Sequence, residues 1–249
     1  MTLTPYYKDG CSTIYHGEAL TTIPNLEGLD AVITDPPYSS GGMFKNERSR
    51  PTVSKYVQSR TKAYRPEFAG DTRDQRGFLA WSTLWMTAAY HASVEKAHLL
   101  VFTDWRQLPT TTDAVQAAGW LWQGVNVWHK STSRPRPNAF RSDAEFVVWA
   151  TKGRMGKQDN KTATYSPGTL KASPPRERAH ITQKPTEVLE WLMSLLPEDS
   201  LICDPFMGSG STLLAAKNLG HRCIGVELSE EFCDHAVGWL KEPRGSGAH

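Results

Sequence analysis

At 249 residues with 39% hydrophobic content, the chain is long enough to bury one substantial core, and a single domain with inserts is expected over 1–249. Its apolar stretches are too short to cross a bilayer, Met1-Thr-Leu-Thr-Pro5 lacks a charged start followed by an apolar core, and no repeat recurs; a soluble cytoplasmic protein without membrane contact is expected. The net charge of +2 hides an asymmetry, because seven basic residues face one acid between Met43 and Pro66, and eleven face four between Lys130 and His180. The remainder is acidic, so a polyanion meets those two segments first. Cys11, Cys203, Cys223 and Cys233 show no paired Cys-x-x-Cys spacing, so neither a metal centre nor a disulfide framework is expected.

Ser12-Thr-Ile-Tyr15 reads as a short strand ending at His16-Gly17-Glu18. In Asp30-Ala-Val-Ile-Thr34, a brief β-branched run suits a strand packed on both faces. Asp35-Pro36-Pro37-Tyr38 then stops it, since proline offers no N–H to a sheet ladder and stiffens its predecessor. A carboxylate, a rigid turn and an aromatic ring therefore stand at one strand tip. Ser39-Ser-Gly-Gly42 reads as a hinge into the first basic insert, 43–70, expected to be mobile without a partner and ordered on binding it.

From about Gln75 to Glu95, Phe78, Trp81, Trp85, Ala88, Ala89 and Ala92 recur at helical spacing and describe a core-facing stripe. His98–Thr103 is the next strand, with Asp104-Trp105-Arg106 at its tip; Asp104 either assists a site there or caps the helix from about Leu108 to Ala118, which Gly119 ends. Trp120–Trp128 and Ala144–Ala150 read as two strands, joined by a loop with Arg134-Pro-Arg-Pro-Asn138, and the basic stretch continues to about Arg178 without a period. Lys184-Pro185-Thr186 opens a helix to about Leu196 with a Val188, Leu189, Leu192, Leu195, Leu196 face. Ser200–Asp204 is a strand; Gly208, Ser209 and Gly210 allow a tight turn into the helix Ser211–Leu219, and Gly220 caps it. Arg222–Glu227 is a strand ending in an acid 19 residues after Gly208, near the spacing of about 20 at which a carboxylate grips a ribose hydroxyl. Ser229 caps the last helix, to about Lys241, and a frayed tail follows. The loop lacks Gly-x-Gly-x-x-Gly, which counts against a nicotinamide or flavin enzyme.

Three motifs carry a resemblance. Asp35-Pro-Pro-Tyr38 resembles the catalytic motif of amino-directed DNA methyltransferases, Asp204-Pro-Phe-Met-Gly-Ser-Gly-Ser211 their cofactor loop, and His180-Ile-Thr-Gln-Lys-Pro185 the segment before that loop. With the catalytic motif first and a recognition region between, the order resembles the β-type permutation of this S-adenosyl-L-methionine-dependent family. The resemblance implies an α/β class I methyltransferase fold: a Rossmann-like, doubly wound, mostly parallel seven-stranded sheet with an antiparallel strand near one edge. It also implies that the strands ending at Asp35 and Asp204 are neighbours.

By motif match, Asp35 and the Pro36 carbonyl accept the two protons of a base amine, Pro37 stiffens the turn and Tyr38 stacks on the base. The cofactor residues implied are Asp204, Pro205, Phe206, Gly208, Ser209, Gly210, Ser211 and Thr212, with Glu227 and Leu228 at the ribose, Thr182, Gln183 and Lys184 closing the pocket, Asp35 beside it, and Gly17 and Glu18 near the adenine. DNA contact is expected from Lys45, Arg48, Arg50, Lys55, Arg60 and Lys62 in the first insert, and from Lys130, Arg134, Arg136 and Arg141 in the second, 130–180, whose shortness leaves open a homodimer that completes recognition. Asp as the first motif residue implies N6 of a flipped-out adenine in double-stranded DNA; N4 of cytosine is the nearest alternative, and an inactive DNA-binding protein on the same fold is another. A cognate restriction enzyme, and a bacterial or phage origin, stay open.

Overall fold

The computed structural model describes residues 3–38, 73–131, 133, 135, 137–155, 164–173 and 184–241. The elements are β1 (Tyr7–Lys8), β2 (Ser12–His16), α1 (Ala19–Thr22), β3 (Leu29–Thr34), α2 (Gln75–Ala92), β4 (Ser93–Thr103), α3 (Leu108–Ala117), β5 (Leu121–Lys130), β6 (Ala144–Thr151), β7 (Thr169–Ala172), α4 (Thr186–Met193), β8 (Leu201–Asp204), α5 (Ser211–Leu219), β9 (Arg222–Glu227) and α6 (Glu230–Lys241). The strands form one sheet in the order β1-β2-β9-β8-β3-β4-β6-β5-β7. Its inner seven make up the doubly wound sheet expected from the sequence, and β1 and β7 extend the edges. From β2 through β9, β8 and β3 to β4 the pairing is parallel. β6 runs against both β4 and β5, as the antiparallel strand near one edge.

Both faces of this sheet are covered, which is why its central strands read as near-continuous apolar runs. Ala31, Ile33, Leu100, Phe102, Val147 and Ile202 point to a cluster closed by Val188 and Leu192 of α4, Leu213 and Ala216 of α5, and Ala236 of α6. Their neighbours Val32, Leu99, Val101, Val148 and Cys203 point the other way, to Phe78, Trp81, Trp85 and Ala89 of α2 and Ala114 and Val115 of α3. Asp74 caps α2, accepting from the Gly77 N–H at 2.8 Å. Gly119 and Gly220 end α3 and α5 at φ +94° and +78°, in the left-handed region that favours glycine.

Two boundaries shift from expectation. α2 stops at Ala92 and passes directly into β4, which starts five residues before His98; its first turn-facing residues, Val94 to Lys96, are exposed and carried no apolar signal. α4 stops at Met193, where the Leu196 N–H folds back onto the Met193 carbonyl. Cys203, Cys223 and Cys233 are buried free thiols. Among the described residues, no helix is long and apolar enough to cross a membrane.

Candidate active site

Parallel strands deliver their carboxyl ends to one side of the sheet, so the tips of β2, β3, β4, β8 and β9 meet there, while antiparallel β6 brings its first residues to the same side. Asp35 leaves β3 beside β8, whose pairing runs through Ala31 with Ile202 and Val32 with Cys203. One carboxylate oxygen of Asp35 accepts from Lys184 Nζ at 2.5 Å. The other, Oδ1, is buried and has no hydrogen-bond partner among the described residues.

Lys184 itself is 7% exposed and sits between two carboxylates, with Glu145 Oε2 at 3.2 Å. Its ammonium also lies 5.0 Å from the Phe102 ring centroid. Glu145 is held from the far side by Lys130, at 2.9 Å. Burial opposes every charge here. Even so, Asp35 and Glu145 hold the Lys184 ammonium above its usual range, and Lys184 and Lys130 hold the Glu145 carboxyl below its own. On Asp35, burial wins and pushes the carboxyl up, with Lys184 pulling against it.

The β8–α5 loop is built around Asp204. Its Oδ1 accepts from Thr34 Oγ1 at 2.6 Å and the Phe206 N–H at 3.1 Å, and its Oδ2 from Thr212 Oγ1 at 2.5 Å. At 3% exposure, burial pushes this carboxyl up to about 6 against those three donors. Gly208 and Gly210 turn at φ +52° and +89°; a Cβ on Gly210 would lie 2.7 Å from that of Ala236, whereas one on Gly208 would meet nothing within 4 Å among the described residues. The open side of Gly208 is the cradle a small ligand would fill. Glu227 accepts from the Gly208 N–H at 3.0 Å and the Ser229 N–H at 2.8 Å, and burial raises its carboxyl despite both. The Gly17 N–H reaches the Glu227 carbonyl at 2.9 Å, and His16 Nε2 lies 3.1 Å from that of Leu228, so Gly17, Glu18, Glu227 and Leu228 share one corner.

Several expected residues sit differently. Lys184, expected at the cofactor pocket, is tied to Asp35, and Lys130, expected on DNA, has its ammonium on Glu145. The Phe206 ring packs between Trp81 and Trp85, at 5.1 and 5.3 Å between centroids, which leaves the backbone of this residue for the loop. Tyr38 is half-buried against the same cluster. Asp104, expected either to assist the site or to cap α3, accepts from the backbone N–H groups of Arg106 and Gln107 and so closes the turn before α3, whose N-cap is Gln107 without a side-chain bond. Arg141 is exposed in the β5–β6 connection. The first basic insert with Lys45, Arg48, Arg50, Lys55, Arg60 and Lys62, and also Arg134, Arg136, Thr182 and Gln183, lie outside the described residues. Glu145 and Thr34 were missed; the only signal was an acid at the start of an apolar strand and a hydroxyl just before Asp35.

A sheet of this order, with a glycine loop after β8 and an acid at the end of β9, is the class I methyltransferase-like fold. The chain belongs to the DNA methylase family N6_N4_Mtase, whose model matches residues 29–238. Among curated relatives, it is similar to the type II methyltransferase M.ScaI of Streptomyces caespitosus, 24% identical over 95% of this chain and 84% of that one. Among solved structures, it matches the M1.HpyAVI–SAM complex at a TM-score of 0.66 and 24% identity, covering 93% of this chain and 100% of the other. It also matches the PvuII DNA methyltransferase, titled cytosine-N4-specific, at a TM-score of 0.73 and 16% identity over 97% of this chain and 90% of that one.

Proposed function

We propose that the protein methylates the N6 amine of an adenine flipped out of duplex DNA. The methyl donor of this family is S-adenosyl-L-methionine, which supplies a sulfonium-bound methyl open to attack by nitrogen. The observation that carries the reading is the juxtaposition at the β3–β8 seam: Thr34 bonds to Asp204, which opens the glycine loop, and the next residue, Asp35, holds a buried carboxylate oxygen without a hydrogen-bond partner among the described residues.

The chain's own groups divide the work. Glu227 and the Gly208 cradle would hold the ribose end of the donor and the backbone from Phe206 to Gly210 its methionine end, while Gly17, Glu18 and Leu228 line the corner beside them. Asp35 Oδ1 and the Pro36 carbonyl would accept one amine proton each. Such bonding would favour a pyramidal nitrogen with an available lone pair; as the nitrogen–methyl bond forms the methyl–sulfur bond breaks, S-adenosyl-L-homocysteine leaves as a neutral thioether, and the surplus amine proton would pass by way of Asp35 Oδ1 to solvent. Tyr38 would stack on the base; this is worth roughly 1–3 kcal/mol, comparable with the few kcal/mol that extrusion from the duplex costs. Exposed Arg141 and the two basic segments would meet phosphates.

N4 of cytosine presents the same amine, and the fold likeness to the PvuII enzyme favours it as the second reading. The deciding experiment is incubation with S-adenosyl-L-methionine and unmethylated duplex DNA, followed by mass spectrometry of the nucleosides. N6-methyladenine is expected. N4-methylcytosine would reverse the base assignment and keep the mechanism, and no methylated nucleoside despite cofactor binding would overturn the reading.

A further inference from the structure

We propose that Lys184 is a positioning residue for Asp35: it grips one carboxylate oxygen so that the other faces the target amine, charged and without competitors, while Glu145 fixes Lys184 from behind. The inference rests on the methyltransferase reading and deepens it. Motif position alone puts Lys184 at the cofactor; the geometry puts it on the other partner of the reaction.

Three observations support this role. Lys184 reaches Asp35 Oδ2 at 2.5 Å, yet Oδ1 has no hydrogen-bond partner among the described residues, so the ion pair fixes the carboxylate without consuming its second acceptor. A buried carboxyl left alone takes up a proton, and a protonated one donates where the amine needs an acceptor. Lys184 is a four-carbon stem with a free choice of direction, and Glu145 at 3.2 Å, itself tied to Lys130 at 2.9 Å, removes that choice. The four side chains come from the turn after β3, the end of β5, the start of β6 and the residue two before α4, so the tips of two further strands are tied to the turn that carries Asp35.

The charges balance. Two carboxylates face two ammonium groups, with Asp104 paired to Arg106 at 3.2 Å on the β4 tip and Asp204 enclosed by hydroxyls on β8. A neutralised Lys184 is also compatible with a cationic sulfonium in the same cleft, whereas a lone ammonium would repel it.

The test compares wild type with Lys184→Met, Lys184→Arg and Glu145→Gln. Cofactor affinity is read by calorimetry, and single-turnover methylation is read across pH at saturating cofactor. Lys184→Met is expected to bind S-adenosyl-L-methionine within about threefold of wild type while the acid limb of its rate profile moves up by about 1–3 pH units, the range an adjacent opposite charge commands. Lys184→Arg should recover part of that shift. Glu145→Gln should move the limb down, because it removes a negative neighbour of Asp35. An unmoved limb, or a cofactor affinity lost with a normal saturated rate, would overturn the proposal.

A readout independent of turnover is the carbon-13 carboxyl titration of aspartate-labelled protein, with Asp35 assigned through Asp35→Asn. An Asp35 that is ionised at neutral pH, and titrates lower in Glu145→Gln, supports the pairing even if Lys184→Met fails to fold. A protonated Asp35 at neutral pH in the wild type overturns it. A protein with the expected titration that methylates no DNA would lose the proposed activity and keep the pairing.

Discussion

Replacing Asp204 by Asn separates the architectural use of this carboxyl from its charge. The amide keeps an acceptor for the Phe206 N–H and one hydroxyl, and the other hydroxyl can turn to accept from the amide nitrogen, so the loop should hold. Burial holds the carboxyl at about 6, against 3.8 for the free group, so the folded state binds its proton more tightly than the unfolded state does. Stability from this residue is therefore greatest below the unfolded value, declines as pH rises through about 4 to 6, and is flat above. The full cost of ionisation is about 3 kcal/mol, roughly half of it already incurred at about pH 5. Urea unfolding of both proteins at about pH 5 and pH 7.5 should show the Asn variant gaining on the order of 1 kcal/mol relative to wild type between the two. Parallel curves, with a constant difference, would refute a buried proton at Asp204.

Gly210→Ala adds a Cβ 2.7 Å from that of Ala236 at a left-handed φ, so thermal melts should show a loss of about 1–3 kcal/mol, with weaker cofactor binding as the loop shifts. Trp120 Nε1 donates to the Met86 carbonyl at 2.9 Å, whereas the equally buried Trp85 Nε1 has no partner among the described residues. Trp120→Phe should therefore cost about 1 kcal/mol more than Trp85→Phe in denaturant titrations, and equal losses would contradict the hydrogen-bond argument. Glu227→Gln, which cannot serve two N–H groups and a ribose diol as a carboxylate does, should weaken S-adenosyl-L-methionine about tenfold or more by calorimetry, and should also lower stability by about 1–3 kcal/mol because one backbone N–H then faces the amide nitrogen.

What could be read in advance is local. The β8–loop–α5–β9 unit announces itself because glycine turns, an apolar run and a terminal acid all lie within one stretch of chain, and β3 with its Asp-Pro-Pro-Tyr stop does the same. β1 and β7 did not, because two and four residues paired on one side carry no alternation to detect. The contact of Lys184 with Asp35 was hidden for another reason. The two lie 149 residues apart, and a motif names a residue type at a place in the chain, while the sheet order decides which tip that place faces. Glu145 illustrates the same limit, since only the reversed direction of β6 brings the start of a strand to the side where the other strands end.

The seam between β3 and β8 also has a consequence for the protein's birth. Thr34 and Asp204 are 170 residues apart, so at roughly 5–20 residues per second the ribosome makes the tip of β3 roughly ten to thirty seconds before the strand it must lie against. Through that interval β3 has a bare edge and no glycine loop beside it. Nascent chains and fragments ending before β8 should be inert, so a polysome carries no partial activity: the site arrives whole, once β8 and its loop have been made.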